Sequence, residues 1–315
     1  MSRRSSRPSA QALNEGLVVS THGRHCLVED AAGAQTLCHP RGKRLEVVVG
    51  DRVHWRTSHD EGVIEAVLPR RNLLHRQDAW RSKQFAANLD QVLILLAAEP
   101  DFAEQQLARA LIACEAEQIQ PLIVLNKADL AAPFARAWER LAAYRDMGYP
   151  MLAIAAGAPD HGPDMPALEE QLAGHITLVL GPSGAGKSTL INHLIPHAEA
   201  ATGELSQALS SGRHTTTHTQ LYWLDEQRQG ALIDSPGFQE FGLHHVQPTQ
   251  LPALMPDIAA HAGQCRFHNC SHLHEPGCKV RQALADATAD PALTEGRYRI
   301  YTELATELMR QSGPG

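Results

Sequence analysis

Apolar residues between about positions 17 and 76 occur in short runs that are broken by Gly, Asp and Pro. The runs fall at residues 17–20, 24–28, 45–49, 52–55 and 63–67. Runs of this length and spacing predict short strands. Closely spaced short strands joined by basic loops favour a small barrel of the OB-fold type, and an SH3-like barrel is the nearest alternative.

From residue 88 the apolar runs become continuous, at residues 91–97, 121–125, 151–155 and 176–180. Such runs are typical of central parallel strands, which are buried on both faces. Residues 102–116, between the first two runs, carry Ala and Leu at helical spacing. Alternating strands and helices predict a doubly wound α/β domain.

The pattern changes again near residues 247–256, and three cysteines follow closely. Residues 292–310 predict a closing helix, because Ile300, Leu304 and Leu308 would share one of its faces. The sequence therefore predicts an N-terminal barrel, a central α/β domain and a small, mainly helical C-terminal domain.

The 315 residues are 43% hydrophobic and 20% charged, which is typical of soluble globular proteins. No apolar run approaches the length of a membrane helix, so no membrane partner is expected. Arg3, Arg4 and Arg7 are not followed by an apolar stretch, which argues against a secretory signal. We therefore expect a cytoplasmic protein with a basic, disordered N-terminal tail.

Charge is distributed unevenly along the chain. Residues 1–85 hold 14 Lys or Arg against 9 Asp or Glu, whereas residues 86–315 hold 14 against 26. This asymmetry favours a polyanionic partner for the N-terminal part. The alternative is a solvated surface with a local bias, and charge alone does not separate the two.

A glycine-rich segment follows the apolar run 176–180 and precedes the helix-like residues 190–195. It fits the P-loop pattern of a glycine, four residues and then Gly-Lys-Ser. Backbone amides and a helix N-terminus would wrap phosphates, Lys187 would neutralise the β and γ phosphates, and Ser188 would bind magnesium. The predicted phosphate-binding residues are Gly181, Ser183, Gly184, Ala185, Gly186, Lys187, Ser188 and Thr189.

A second motif identifies the base. Asn126, Lys127 and Asp129 directly follow a buried-strand run, at the strand end where α/β sheets place ligands. The Asp129 carboxylate can accept hydrogen bonds from guanine N1 and the exocyclic amine, whereas adenine presents the wrong donors. The pair of motifs therefore predicts a GTP site and disfavours an ATP-using kinase.

Asp234 and Gly237 follow the apolar run 231–233 and fit the Asp-x-x-Gly switch element. Asp234 would support magnesium, and the Gly237 amide would sense the γ-phosphate. The polar segment 212–218 lies where a first switch is expected, and we favour Thr216 over Thr215 and Thr217 as its magnesium ligand.

The order of these motifs is unusual. Ordinary GTPases place Asn-Lys-x-Asp last, whereas here it precedes the P-loop and the switches. A chain break is moved at low cost within a domain whose termini are close, so the G domain is predicted to be circularly permuted. The second switch then leads towards the next domain.

Phe238 occupies the position where many GTPases carry the glutamine that orients the attacking water. Intrinsic hydrolysis is therefore expected to be slow. His214 is the nearest residue that could replace this glutamine. The alternative is that His214 is an exposed loop histidine without a role in hydrolysis. The candidate catalytic residues are His214, Thr216 and Lys187.

Cys265, Cys270, His272 and Cys278 are spaced by four, one and five intervening residues. Clustered cysteines in a cytoplasmic chain favour a metal over disulfides, and three thiolates with one imidazole suit a closed structural zinc site. From local sequence alone, His268 and His274 are alternatives to His272. The other cysteines, Cys26, Cys38 and Cys114, are expected to be buried.

Taken together, these motifs resemble the ribosome small subunit-dependent GTPase A family, also called RsgA or YjeQ. The match covers nearly the whole chain. It is carried by residues 126–129 before the P-loop, by Gly-Glu-Leu-Ser at 203–206, by residues 212–217 and 234–237, and by the cysteine cluster. One departure is Ala-Ile-Ala-Ala-Gly at 153–157, where a serine-alanine guanine loop is expected, so backbone contacts must hold the base there.

The resemblance implies an OB-fold domain, a permuted GTPase domain and a zinc domain. We place the RNA-binding OB-fold at 15–85, the GTPase domain at 86–245 and the zinc domain at 246–315, after the basic tail at 1–14. The resemblance implies His272 as the zinc ligand and points to His214 in catalysis. It also implies a factor in late small-subunit maturation that is stimulated by the particle, and we expect this factor to bind 16S rRNA. Nothing in the sequence demands a dimer, so a monomer is expected. The alternative is a nucleotide-gated binding switch with incidental hydrolysis.

Overall fold

The computed structural model describes residues 13–42, 44–58, 61–77, 82–195, 219–235, 242–243, 245–286 and 290–312. Its strands are β1 Asn14–His22, β2 His25–Glu29, β3 Gln35–Pro40, β4 Arg52–Ser58, β5 Glu61–Val67, β6 Leu73–Gln77, β7 Ser82–Ala87, β8 Gln91–Ala97, β9 Gln120–Asn126, β10 Met151–Ala153, β11 Ile176–Leu180, β12 Thr219–Trp223 and β13 Ala231–Asp234. Its α-helices are α1 Glu104–Ala116, α2 Ala131–Arg140, α3 Ala142–Asp146, α4 Met165–Leu172, α5 Lys187–Leu194, α6 Pro256–Ala262, α7 Lys279–Ala285 and α8 Glu295–Ser312. A 3-10 turn, Leu251–Leu254, precedes α6.

Strands β1 to β5 form a barrel in the order β1-β2-β3-β5-β4, which closes because β4 also pairs with β1. Strands β3 and β5 run parallel and the other pairs antiparallel, so the predicted OB-fold is confirmed. The predicted strand at 45–49 is wrong, since only an isolated bridge from Val49 to Ala86 forms there. Strand β3 was missed because its mostly half-exposed residues show no apolar run.

The barrel interior is filled by apolar side chains that include Val18, Val53 and Ile64. Trp55, a candidate either for base stacking or for the barrel core, is only 5% exposed and belongs to this core. The other candidate, Trp80, lies outside the described residues. Cys26, Cys38 and Cys114 are buried and free, as predicted.

The central domain contains parallel strands in the order β10-β9-β8-β11-β13, and β12 pairs antiparallel with β13. Side chains alternate across β8, where Ile94 packs on the α1 side and Leu95 packs on the α4 and α5 side. Both faces of the sheet are therefore covered, and the predicted α/β domain is confirmed.

Two features link the barrel to the α/β domain. Strand β12 pairs antiparallel with β1, through Ser20 opposite Gln220 and Thr21 opposite Thr219, so one sheet of 11 strands runs through both. The hairpin β6–β7 forms a separate sheet, and β6 packs near α1. Neither feature was predicted.

Helices α6 to α8 close the chain against the α1 face of the central sheet. The predicted apolar face of the last helix is confirmed, since Ile300, Leu304 and Leu308 are all buried. Arg297 forms a buried ion pair with Asp257 at 2.9 Å. Among the described residues, no helix is both long and apolar enough to cross a membrane.

Candidate functional site

The P-loop joins the end of β11 to the start of α5. At two positions of the loop, neighbouring atoms lie so close to the backbone that only glycine fits. A Cβ on Gly181 would lie 2.3 Å from the carbonyl oxygen of Leu95. Gly186 has φ +96°, and a Cβ there would lie 2.4 Å from Asn126 Nδ2. The glycine pattern therefore reflects backbone packing as well as room for a phosphate.

Lys187 is held inside the loop. Its Nζ donates hydrogen bonds to the carbonyl oxygens of Gly181 at 2.6 Å and Pro182 at 3.1 Å. Burial lowers the pKa of Lys187, and the charge of nearby Asp234 opposes that shift. The ammonium is thus placed at the centre of the loop, where the β and γ phosphates of a nucleotide would contact it.

The mouth of the loop is open to solvent. Ser183, Gly184, Ser188 and Thr189 are exposed, and Ala185 is buried beneath them. Asp234 ends β13, whose parallel register places it beside Val179 of β11. The candidate magnesium residues Ser188 and Asp234 therefore lie at the same edge of the sheet.

Asn126 connects the two nucleotide motifs. It is 3% exposed, and its Nδ2 donates to the carbonyl oxygen of Ala185 at 2.8 Å. Its Oδ1 accepts from the amides of Lys127 at 2.8 Å and Ala156 at 2.9 Å. One side-chain amide thus fixes the P-loop, the Asn-Lys-x-Asp loop and the following loop together. Sequence reasoning missed this role, because the bond to Ala185 spans distant parts of the chain.

The guanine-recognition residues occupy the loop after β9. Lys127 has φ +69°, and its Nζ donates to the carbonyl oxygen of Glu99. Asp129 is exposed, so its carboxylate is open to a base edge. The amide of Ala128 donates to the Ile154 carbonyl at 2.9 Å, which ties this loop to residues 153–157. Residues 153–157 place no serine hydroxyl there, and the amides of Ala155 and Ala156 donate to the His161 carbonyl and to Asn126 Oδ1.

The predicted switch residues fall mainly outside the described part of the chain. His214, Thr215, Thr216, Thr217, Gly237 and Phe238 lie there, as do residues 203–206. Asp234 and Ser235 lie within it, at the end of β13.

The second site lies between α6 and α7. The ligand atoms of Cys265, Cys270, His272 and Cys278 lie within 4.8 Å of one another. His272 Nδ1 is 3.5 Å from Cys265 Sγ and 3.6 Å from Cys278 Sγ. A tetrahedral zinc with bonds of about 2.3 Å to sulfur and about 2.0 Å to nitrogen separates those atoms by about 3.5 Å. The geometry is compatible with zinc.

The surroundings hold this cluster in place. His272 is 3% exposed with φ +61°, and Tyr298 of α8 donates to its carbonyl oxygen at 2.7 Å. The Lys279 amide donates to Cys265 Sγ at 3.2 Å, which fixes the position of that sulfur. Desolvation raises the pKa of Cys270 to about 12, so its thiolate form needs a cation. His268 and His274 are not part of the group.

A P-loop beside an Asn-Lys-x-Asp loop, at one edge of a sheet and in permuted order, defines a circularly permuted GTPase. The model of the RsgA GTPase family matches residues 67–244. A curated relative from Variovorax paradoxus, named small ribosomal subunit biogenesis GTPase RsgA, is 62% identical over 95% of this chain and 94% of its own length. A relative of the same name from Burkholderia pseudomallei is 53% identical over 93% of this chain and 92% of its own.

Solved structures agree with these relatives. YjeQ from Thermotoga maritima matches with a TM-score of 0.73 and 30% identity, over 95% of this chain and 99% of that one. YloQ, described as a circularly permuted GTPase, matches with a TM-score of 0.70 and 25% identity, over 99% of this chain and 100% of that one. The chain belongs to the RsgA GTPase family and is a P-loop GTP hydrolase.

Base selectivity is expected to depend on Asp129. In Asp129→Asn, the amide can donate to the carbonyl that xanthine carries in place of the guanine amine, so preference shifts from GTP towards XTP by about a hundredfold or more. Competition binding with GTP, XTP and ATP measures this shift. Asp160→Asn, a change at another exposed carboxylate, is the control. Equal preferences in both variants and the parent protein would remove Asp129 from base recognition.

Proposed function

We propose that this GTPase acts in late maturation of the small ribosomal subunit, where the barrel binds 16S rRNA and the particle activates hydrolysis. Relatives that align over nearly the whole chain carry the name small ribosomal subunit biogenesis GTPase. The observation that carries the proposal is the continuous sheet, because it connects the barrel to the nucleotide site. The protein acts as a monomer made of the tail 1–14, the OB-fold 15–85, the GTPase domain 86–245 and the zinc domain 246–315.

The barrel surface supports the RNA partner. A cleft of about 910 Å³ is lined by Gly23, Arg24, His25, His39 and Gly42, among others. Glycines allow a sugar-phosphate backbone to approach closely, and the arginine supplies charge.

The arginines in the basic loops of the barrel differ in their partners. Arg41 and Arg44 are exposed beside the cleft, and Arg41 also pairs with Glu65 on the barrel surface. Arg70 instead forms a pair with fully buried Asp51 at 2.7 Å, so its charge is held by the barrel. Phosphate contact is therefore assigned to the β1–β2 and β3–β4 loops.

In the nucleotide site, GTP binds with magnesium. The P-loop amides and Lys187 hold the phosphates, and Asn126, Lys127 and Asp129 hold the base. Ser188 and Thr216 bind magnesium, supported by Asp234, and the Gly237 amide contacts the γ-phosphate. His214 orients the attacking water in place of the missing glutamine. Because that histidine lies in a switch, the particle can activate hydrolysis by positioning it.

The cysteine cluster holds one structural zinc ion through Cys265, Cys270, His272 and Cys278. Three thiolates and an imidazole leave no open position for catalysis and select against magnesium or calcium. The zinc stabilises the segment that α8 fastens to the α1 face of the G domain.

Turnover with ribosomal particles tests the proposal. Purified small subunits are expected to raise GTP turnover well above the rate without particles, and large subunits are not. Stimulation is expected to weaken as salt rises, because phosphate contacts release counterions. Turnover that small subunits leave unchanged, at low as well as physiological salt, would favour the alternative binding switch.

A further inference from the structure

Strand β12 belongs to both the barrel and the G domain. It follows the predicted first switch along the chain, and it pairs antiparallel with β13, which ends at Asp234. On its other side it pairs with β1 of the barrel. Any shift of β12 relative to β13 must therefore be shared with the barrel.

The barrel also anchors the far end of β12. Glu29 on β2 is 5% exposed, and it accepts a hydrogen bond from Trp223 Nε1 at 2.9 Å. Arg228, in the turn after β12, lies 3.4 Å from the same carboxylate. Gln35 donates to its other oxygen at 2.9 Å. These contacts dock the β12–β13 hairpin on the barrel at a distance from the nucleotide.

At the near end, buried hydroxyl groups link the two domains. Ser20 Oγ lies 2.7 Å from His22 Nε2 and 3.5 Å from the carbonyl oxygen of Thr219. Thr219 Oγ1 lies 3.3 Å from Ser235 Oγ. Ser20, Thr219 and Ser235 are 0%, 8% and 2% exposed. Buried hydroxyls are costly unless they are paired, so these contacts favour one relative position of β1, β12 and β13.

These contacts start and end next to functional surfaces. His22 precedes Gly23 and Arg24, which line the barrel cleft assigned to RNA. Ser235 follows Asp234 within the Asp-x-x-Gly element. The contacts therefore run from the RNA-facing turn to Thr219, whose carbonyl oxygen faces Ser20 and whose hydroxyl faces Ser235, the residue beside the magnesium-supporting carboxylate.

We propose that Thr219 is a positioning residue for stimulated hydrolysis. Through Ser20 and Ser235 it transmits engagement of the β1–β2 turn by RNA to the Asp-x-x-Gly element. The inference rests on the proposed function, because it requires that the particle stimulates turnover. It assigns Thr219 no contact with GTP, so basal hydrolysis does not depend on it.

The test compares Thr219→Val, which keeps the shape and removes the hydroxyl, with Thr219→Ser, which keeps the hydroxyl. Thr219→Val is expected to lower the maximal small-subunit stimulation about tenfold, the effect of one lost buried hydrogen bond. Its basal turnover, its KM for GTP and the subunit concentration for half stimulation stay within about twofold of the parent protein. Thr219→Ser keeps full stimulation.

Two further variants make the result specific. Ser20→Ala removes the contact between the barrel and the Thr219 carbonyl oxygen, and it is expected to lower the stimulation as Thr219→Val does. If the valine variant does not fold, the alanine variant tests the inference alone. Glu29→Gln weakens the distal anchor and is expected to leave stimulation intact. Full stimulation in Thr219→Val and Ser20→Ala, or an equal loss in Glu29→Gln, would overturn the inference. Failure of the proposed function gives a different result, since the parent protein itself would then show no stimulation.

Discussion

Lys187→Ala is expected to reduce GTP hydrolysis by about a thousandfold, both with and without small subunits. The Nζ atom lies within hydrogen-bond distance of the Gly181 and Pro182 carbonyls, at the centre of the P-loop. Removing a preorganised charge that faces the developing negative charge of the transferred phosphoryl group costs about 3–4 kcal/mol or more.

The loss is expected to be catalytic rather than structural. Burial lowers the pKa of Lys187, which shows that its charge carries a desolvation cost in the folded protein. Because Lys187→Ala removes this cost, the stability of the nucleotide-free protein against unfolding is not expected to fall. Turnover and thermal unfolding, measured on the same preparations, separate the two effects. Arg310→Ala, at an exposed basic residue in α8 outside both sites, is the matched charge control. Near-normal turnover in Lys187→Ala would contradict the assignment of the phosphate site.

Loss of one cysteine ligand is expected to unfold the segment between α6 and α7. Cys278 is 3% exposed and immediately precedes α7, and the loop from residue 263 to 277 contributes little to the apolar core. Structural zinc contributes on the order of 10 kcal/mol to the folding of such a segment. Cys278→Ser is therefore expected to lose zinc and hydrogen-exchange protection over residues 263–285.

His274→Ala provides the matched control, because this neighbouring histidine is exposed and lies outside the cluster. It is expected to keep one zinc per chain, whereas His272→Ala loses the metal. Elemental analysis of purified variants measures both. A full zinc content in Cys278→Ser, or loss of zinc from His274→Ala instead, would contradict the predicted ligand set.

Local signals predicted the parts of the molecule that depend on short segments. Strands β8 and β11 match their predicted apolar runs residue for residue, because central strands are apolar on both faces. The two nucleotide motifs follow strand ends, so the parallel sheet brings them to one edge. The hydrophobic face of α8 could also be predicted, since three residues at helical spacing suffice to define it.

Long-range contacts left no comparable signal. The pairing of β12 with β1 joins residues about 200 positions apart, and its strands carry no motif that specifies a partner. The bond from Asn126 to Ala185 likewise depends on the fold rather than on local pattern. Trp55 was ambiguous in sequence because an aromatic residue suits both a barrel core and a stacking surface. Among the three neighbouring histidines, local sequence does not separate the ligand, whereas the structure buries His272 against the sulfurs and leaves His268 and His274 exposed.

The most direct test of the central claim is GTP turnover of the parent protein with purified small subunits, with large subunits and with neither, at low and physiological salt. The arrangement described here predicts slow turnover alone, strong stimulation by small subunits only, and weaker stimulation at higher salt. Equal turnover in all three conditions at both salt concentrations would contradict it.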